Sequence, residues 1–413
     1  MTLIANAPPL LSDDVVERAF VGPDELRDAW SSAAALEPAA LRVEHDASDP
    51  RDALVKLVRL LGERGLLGLA VPQAYGGTYA EVRSVPLCLA RERLGYASPL
   101  VELAFAMQAL GSYPVTARGS DALKAQYLPR VAAGEAVAAF ALTEEEAGSD
   151  LARMRTSATL TPEGYVLHGK KIFISNAGIA DFYVVFAVTT PKTATSKLRL
   201  SAFVVDADRR GLSTRPQHVL GGHPIGELQL ENALVPLTAR IGDEGAGLSI
   251  ALETLHKLRP TVGAAALGMA QRGLSETLGH VRTREQFSGP LAELQAVQMS
   301  LADMACDLES ARLLVYRAAA VADVVAQLKV QNGSESAADR SRVARTGSMA
   351  KLVATEAAFR VIDRAVQLHG GRGVETTSIV ARLYEDIRAL RIYEGASDVQ
   401  RLLIARAMLE RGV

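Results

Sequence analysis

The sequence is poor in cysteine, in aromatic residues and in paired histidines. Two cysteines, Cys88 and Cys306, exclude a disulfide scaffold or a cysteine-rich zinc site and favour a reducing, cytoplasmic location. Aromatic residues make up 5%, with Trp30 the single tryptophan, so the core must use Ala, Leu and Val, which favours packed helices over a β-sandwich. The seven histidines form no HExxH or H-x-H pair, and we expect no metal site.

The sequence also lacks an excess of positive charge and a long apolar run. Lys and Arg number 45 against 47 Asp and Glu, so nothing favours nucleic-acid binding. No stretch of about 20 apolar residues is present, so we expect no membrane span. Residues 1–20 lack the basic and apolar regions of a secretory signal. At roughly 100–200 residues per domain, the length predicts two to four domains.

Hydrophobic periodicity divides the chain into three parts, and the fold class is α+β, mainly α. We predict an N-terminal α-helical domain at 1–136, a small middle β domain at 137–247 and a C-terminal helical bundle at 248–413. A stripe of apolar residues spaced by three and four runs over 294–322, as in a bundle helix. A polar stretch at 327–341 predicts a surface loop. We predict helices over 52–67, 87–94, 100–110 and 121–128, and strands over 165–168, 181–188, 200–205 and 228–230.

Two segments of the middle part carry residues that suit ligand binding. In FALTEEEAGSD (140–150), Thr143 and Ser149 flank a Gly-containing turn that can donate hydrogen bonds to a ring carbonyl or phosphate. A helix N-cap or β-turn explains the same residues. In GKKIFISNAG (169–178), Phe173 and Ser175 lie two apart in a strand and can stack on a flat ring and bond its edge. A cross-strand packing pair is the alternative.

Three segments of the C-terminal part complete the set of motifs. In REQFSGPLAELQ (284–295), Arg284 can clamp a phosphate or can simply be solvated. QLHGGRG (367–373) allows a close approach of backbone to a ligand, or is a helix C-cap. In IYEGASDVQ (392–400), apolar neighbours would raise the pKa of Glu394, as suits a general base, although an acid favoured by a helix dipole is the alternative.

These five motifs, in this order and at these separations, resemble the acyl-CoA dehydrogenase family of flavoproteins. The resemblance covers nearly the whole chain. It implies an N-terminal α domain, a middle β domain and a C-terminal four-helix bundle. It also implies FAD bound between the β domain and the bundle, with a neighbouring subunit of a homotetramer or dimer completing the site.

The resemblance implies site residues position by position. The flavin ring should meet the first two strands, and the pyrophosphate and adenine half should be held by the partner subunit. Ser149 should also touch the substrate. The implied cofactor residues are Phe140, Leu142, Thr143, Ser149, Phe173, Ser175, Arg284, Phe287, Gln295, Gln367, Gly370, Gly371, Ala396 and Asp398, and the implied substrate residues are Ser149, Arg259, Tyr393 and Gly395.

The implied reaction is α,β-dehydrogenation of an acyl thioester, acyl-CoA to trans-2-enoyl-CoA. Glu394 would remove the pro-R α-proton while the β-hydride passes to flavin N5. The Glu394 N–H and a flavin ribityl hydroxyl would bind the thioester oxygen. Some family members carry the base on an earlier helix, where this chain has Leu258, which cannot serve. An electron-transfer flavoprotein is the implied electron acceptor.

Several departures from the family pattern leave the substrate open. Glu145 and Glu146 stand where the flavin loop often has Pro and Gly, Ala396 replaces a usual Thr, and His256 stands where straight-chain members often have Asp. The same chemistry on a carrier-protein thioester and an oxygen-using oxidase remain alternatives. A non-enzymatic helical scaffold is a further alternative, and Glu394 weighs against it.

Overall fold

The structure is a computed structural model that describes residues 25–193 and 198–409. Residues 1–20, which bear on a secretory signal, lie outside these ranges. The chain forms two compact units. The helical unit contains the described residues up to 37, then 84–102 and 259–409, and the mixed unit contains residues 38–83 and 103–258.

Ten α-helices in the described residues account for most of the regular structure, and they confirm the predicted order of helical, sheet and helical parts. Their bounds are α1 Glu25–Asp46, α2 Pro50–Glu63, α3 Ser84–Ala97, α4 Pro99–Arg118, α5 Asp121–Ala132, α6 Gly247–Thr283, α7 Gln295–Asn332, α8 Ala337–His369, α9 Ile379–Leu390 and α10 Ser397–Leu409.

The helix predicted over 52–67 begins at Pro50 and ends at Glu63. The Asp49 carboxylate accepts hydrogen bonds from the backbone N–H groups of Arg51 and Asp52, which caps the first turn, and Pro50 fits the first helical position. The apolar stripe of α2 is buried, as its spacing predicts. Gly65 has φ +74 and ends the α-helical path, so residues 66–70 form a short 3₁₀ helix instead.

The mixed unit is built on an eight-stranded sheet. Its strand order is β6-β7-β3-β2-β4-β5-β8, and β1 pairs in parallel with β4. Both strand β3 and strand β7 are much longer than the predicted 165–168 and 228–230. The bounds are β1 Ala138–Ala141, β2 Ser157–Thr161, β3 Gly164–Ser175, β4 Phe182–Thr190, β5 Arg199–Asp206, β6 Leu212–Gln217, β7 Ile225–Val235 and β8 Arg240–Ile241.

One irregularity in β3 changes how its side chains are presented. The register against β7 shifts between Lys171 and Ile174, which marks a bulge, and Phe173 there has φ +54. A bulge breaks the strict alternation of faces along a strand. Phe173 and Ser175 are two residues apart, but because of the bulge they need not lie on the same face of the sheet.

The predicted surface loop over 327–341 is wrong in its extent. Helix α7 continues to Asn332 and α8 begins at Ala337, so only residues 333–336 connect them. The Ser336 hydroxyl accepts a hydrogen bond from the Asp339 N–H and caps α8. The polar residues that suggested a loop are the solvent-facing ends of two helices. A two-stranded hairpin, β9 Glu285–Gln286 and β10 Gly289–Pro290, precedes α7.

A buried ion pair joins β3 to the loop that follows β1. The Lys171 ammonium donates to Glu144 Oε1 at 2.7 Å and to the Leu142 carbonyl at 3.1 Å. The Glu144 carboxylate also accepts from the Arg155 and Thr156 N–H groups at 2.7 and 3.0 Å. Burial lowers the pKa of Lys171 to about 8, and the lysine with these donors outweighs burial and lowers the pKa of Glu144.

We predict that Lys171→Met lowers the free energy of unfolding by about 3–5 kcal/mol, because it leaves the Glu144 carboxylate buried without its counter-ion. Urea unfolding measures the loss. The matched control is Lys170→Met, whose side chain is 39% exposed and whose effect should stay within about 0.5 kcal/mol. Adding Glu144→Gln to Lys171→Met should recover much of the stability, because it removes the unpaired charge and keeps an oxygen that can accept from a backbone N–H group. Equal losses in the two lysine variants would contradict the prediction.

Candidate active site

Glu394 lies in the short connection between α9 and α10, and its backbone is in the left-handed region. Its φ is +51, and Gly395 follows with φ +99. A non-glycine residue in this region costs about 1–3 kcal/mol and persists only where its surroundings enforce it. Two hydrogen bonds help to enforce it here: Tyr393 N–H donates to the Ala389 carbonyl at 3.1 Å, and Ser397 N–H donates to the Arg391 carbonyl at 3.0 Å.

One of the two oxygens of the Glu394 carboxylate accepts no hydrogen bond from the described residues. Its Oε2 is closed to solvent, and no donor among the described residues reaches it. Burial raises the pKa of Glu394, with a smaller contribution from the Glu102 carboxylate. Arg91, Lys351 and Arg259 oppose that rise by Coulomb attraction. A carboxylate with one enclosed oxygen that accepts no hydrogen bond, and with a raised pKa, is suited to general-base chemistry.

Two charged groups beside Glu394 are already paired with each other. Arg91 and Glu102 are 3% and 1% exposed, and the Arg91 guanidinium donates to Glu102 and to the Thr261 hydroxyl at 2.7 Å. Both interact electrostatically with the Tyr393 hydroxyl, whose pKa is raised by burial. No motif in the sequence pointed to this pair. An Arg and a Glu eleven residues apart on two helices carry no spacing signal.

Three further side chains lie around Gly395: the resemblance implied Arg259, Gln400 belongs to the motif IYEGASDVQ, and no motif identified Lys351. Lys351 on α8 is fully buried and donates to the Gly395 carbonyl at 2.8 Å. Arg259 is 4% exposed and donates to the Ser348 hydroxyl at 3.2 Å, so the structure places it inside the helical unit. Gln400 is fully buried, and a Cβ on Gly395 would lie 2.1 Å from its Nε2, so position 395 requires glycine.

In the mixed unit, the segment FALTEEEAGSD leaves β1 and forms a tight turn. Glu144 and Ala147 exchange backbone hydrogen bonds at 3.1 and 3.2 Å, and the Lys171 pair fixes the turn. Leu142 is buried, Thr143 is half-buried and Ser149 is exposed. The ring of Phe140 packs on Phe186 at 4.9 Å between centroids, so it belongs to the core beneath the sheet.

Phe173 and Ser175 lie at the C-terminal end of strand β3 in the mixed unit. Phe173 is 53% exposed, and its backbone is in the left-handed region. The Ser175 hydroxyl lies 2.9 Å from His223 Nε2. Burial lowers the pKa of His223 to about 4, so this imidazole is neutral at pH 7. The motifs did not identify His223, because a single histidine in a loop carries no pattern.

The hairpin between α6 and α7 presents a cation and an aromatic ring outward. Arg284 is exposed and Phe287 is 86% exposed, with φ +54. The C-terminal end of α8 lies close to it, because His280 on α6 stacks on His369 at 4.4 Å between ring centroids. Burial lowers the pKa of His280, with smaller contributions from His369, Arg372 and Arg284.

The remaining residues implied by the resemblance are also in the helical unit. Gln295, Gln367, Gly370 and Gly371 are exposed, and a Cβ on Gly371 would meet no described atom within 4 Å. Ala396 is half-buried, and Asp398 is exposed and pairs with Arg401 at 3.1 Å. The structure therefore brings Glu394, Tyr393, Gly395 and Arg259 together, while the hairpin and the end of α8 form a second group.

No cluster of three or more His, Cys, Asp and Glu side chains in residues 25–193 and 198–409 could hold a metal ion. Within the same ranges, no helix combines the length and the apolar character needed to cross a membrane.

Comparison with known proteins covers almost the whole chain. Residues 24–135, 139–233 and 245–409 match the sequence profiles of the N-terminal, middle and C-terminal domains of acyl-CoA dehydrogenases. A probable acyl-CoA dehydrogenase of Mycobacterium tuberculosis, FadE25, is 38% identical over 391 residues, which cover 94% of this chain and 95% of that protein.

Solved structures agree with the sequence profiles. Butyryl-CoA dehydrogenase from Megasphaera elsdenii has a TM-score of 0.82 at 30% identity, covering 94% of this chain and 98% of that one. An acyl-CoA dehydrogenase from Bacillus anthracis, complexed with FAD, has a TM-score of 0.85 at 30% identity, covering 94% of this chain and 67% of that one. With all three domains matched and relatives of this family covering almost the whole chain, this chain belongs to the acyl-CoA dehydrogenase family and is an oxidoreductase of that family.

Proposed function

We propose that the chain dehydrogenates an acyl thioester between its α- and β-carbons, with Glu394 as the base. The observation that carries this proposal is the Glu394 carboxylate, which has one oxygen closed to solvent and without a donor among the described residues. A carboxylate held this way gains by accepting a proton. Leu258, at the family's alternative position for the base, is 2% exposed and has no group that can take one.

FAD is the cofactor, and the residues of this chain fit it. The half-exposed ring of Phe173 and the Ser175 hydroxyl suit a flat ring with polar edges, and exposed Arg284 and Phe287 suit a pyrophosphate and an adenine. The open space at Gly371 leaves room for a ligand against the backbone. When bound, FAD supplies the acceptor for the hydride that leaves the β-carbon.

The protein residues have separate roles in the proposed reaction. Glu394 takes the α-proton onto its carboxylate, and the backbone N–H of Glu394 donates to the thioester oxygen, which makes the α-proton more acidic. Tyr393 and Gly395 hold this peptide, and Ser149 contacts the distal part of the substrate. Arg259 is buried beside the base, so we assign it to the support of Glu394 as well as to the substrate site.

The assembly and the partners are part of the same proposal. We propose a homo-oligomer, a tetramer or dimer, in which Arg284, Phe287, Gln295, Gln367, Gly370 and Gly371 of one subunit hold the FAD of its partner, with Ala396 and Asp398 as further contacts. We propose acyl-CoA as substrate and an electron-transfer flavoprotein as electron acceptor, in the cytoplasm. The domains are proposed to be 1–136, 137–247 and 248–413. A panel of short, branched, aromatic and long acyl-CoAs, read by flavin bleaching, identifies the acyl group.

We predict that kcat/KM falls at low pH with a midpoint above the ordinary glutamate value of 4.5, because the base must be ionised and its pKa is raised by burial. Activity is therefore lost as pH falls through this raised pKa and is retained above it. The measurement is initial rate against pH with a good acyl-CoA. A midpoint at or below the ordinary value would contradict the assigned environment of Glu394.

We predict that Glu394→Gln slows flavin reduction by at least about 10²–10⁴-fold, since the amide keeps the shape but loses the basic oxygen. Anaerobic single-turnover mixing with substrate measures the rate, and bound FAD is quantified beforehand. Glu385→Gln, an exposed carboxylate on α9, is the matched control and should react at the parental rate. Near-parental reduction in Glu394→Gln, with FAD bound, would assign the proton to another group.

We predict that Arg284→Ala weakens FAD binding about tenfold to 100-fold, because a charge-assisted hydrogen bond is worth about 1.5–3 kcal/mol. FAD should be lost on dilution while the subunits remain folded, as followed by flavin fluorescence and circular dichroism. The control is Arg282→Ala, which removes another exposed arginine two residues away. Equal FAD retention in both variants and the parent would reject the assignment of Arg284.

A further inference from the structure

Lys351 is a fully buried lysine on α8, between the buried residues Ala350 and Ala354. Its ammonium donates to the Gly395 carbonyl at 2.8 Å. A buried ammonium is unfavourable unless it is paired or fully hydrogen-bonded, and burial lowers the pKa of Lys351 to about 8. A methionine or leucine would fill the same space without that cost, so the charge at this position calls for an explanation.

The charged groups that face Lys351 come from three parts of the helical unit. Arg259 on α6 and Arg391 after α9 lower its pKa, whereas Glu394 and Glu356 raise it. Glu356 and Arg391 are paired with each other at 2.8 Å, so they largely cancel. The negative charge that mainly compensates the Lys351 ammonium is therefore the Glu394 carboxylate.

The charged groups around Glu394 also indicate that Lys351 and Glu394 attract each other. Arg91 on α3 attracts Glu394 most strongly, but it is paired with Glu102 on α4, whose carboxylate opposes that attraction. Arg259 and Lys351 are the other two cations that attract Glu394, and the hydrogen bonds described above join neither of them to a carboxylate. Arg259 bonds a hydroxyl, and Lys351 bonds a carbonyl. Two positive charges that are not paired with another carboxylate thus act on the Glu394 carboxylate.

The hydrogen bond of Lys351 also acts on the backbone that carries the base. It holds the peptide between Gly395 and Ala396, directly after a residue with φ +51. The left-handed position of Glu394 is unfavourable alone, and a fixed Gly395 carbonyl removes the rotation through which the turn would relax. Charge and hydrogen bond therefore come from one atom, the Lys351 Nζ.

We propose that Lys351 is the positioning residue of the base: its ammonium clamps the Gly395 carbonyl and supplies the positive charge that keeps the Glu394 carboxylate ionised at neutral pH. This inference rests on the proposed function of Glu394. The same charge then opposes protonation of the base in the resting enzyme without removing the vacant oxygen that accepts the α-proton.

The test is the pH profile of Lys351→Met, which keeps the volume and removes the charge. Because a unit charge a few Å away in the protein changes a pKa by about one unit or more, the low-pH midpoint of kcat/KM should rise by about that much. On that limb, kcat/KM should fall about tenfold. Lys351→Arg, which keeps the charge, should return the midpoint toward the parental value. Lys351→Gln serves as a second neutral variant if Lys351→Met does not fold.

The matched control is Arg360→Met, which removes a cation on the same helix, nine residues further on, where it pairs with Asp307 at the surface. Its midpoint should not move. A uniform loss of rate in Lys351→Met, with an unmoved midpoint, would mean a structural role only and would overturn the proposal. Difference infrared spectra between the parent and Glu394→Gln provide an independent reading, and a protonated carboxyl at pH 7 would also overturn it.

The two proposals fail in different ways. If Glu394→Gln reduces flavin at the parental rate, the function proposed for Glu394 fails whatever the lysine variants do. If Glu394→Gln is inactive and the neutral lysine variants keep the parental midpoint, only the role of Lys351 fails.

Discussion

The arrangement around Glu394 in the helical unit depends on one electrostatic constraint, the cost of keeping carboxylate charge away from water. Glu394 has an oxygen closed to solvent and without a donor among the described residues, which is a costly arrangement for a charge. The structure offsets the cost at a distance, with Arg91, Arg259 and Lys351 on three different helices. Attraction without a direct hydrogen bond at Oε2 leaves the lone pair free for a proton.

The buried Lys171–Glu144 ion pair of the mixed unit differs from the arrangement around Glu394. Glu144 is bonded to the Lys171 ammonium and to two backbone N–H groups, so its lone pairs are largely occupied. Its pKa is lowered, whereas that of Glu394 is raised. Both carboxylates are enclosed by protein and have positive charge nearby. The structural role of Glu144 and the role proposed for Glu394 differ in whether donors reach both carboxylate oxygens.

The sequence predicted the main features that have a local or periodic cause. The apolar stripe of α2 and the β-rich middle part follow from spacing, and the motif around Glu394 led to its assignment as the proposed base. The long-range features were missed, because Lys351 reaches Gly395 from 44 residues away and His223 reaches Ser175 from 48. The loop predicted over 327–341 failed for another reason, since polar composition describes exposure and does not distinguish a loop from exposed helix ends.

The backbone itself marks the same positions that the motifs marked. Six non-glycine residues among those described have positive φ, and Phe173, Phe287 and Glu394 are three of them. Such conformations persist where surrounding packing enforces them, and they cluster at functional sites. At Glu394 the enforcing elements are the two flanking helices and the Lys351 clamp. The base proposed at Glu394 is held in this way and needs little reorganisation when substrate arrives, because folding already fixes its position.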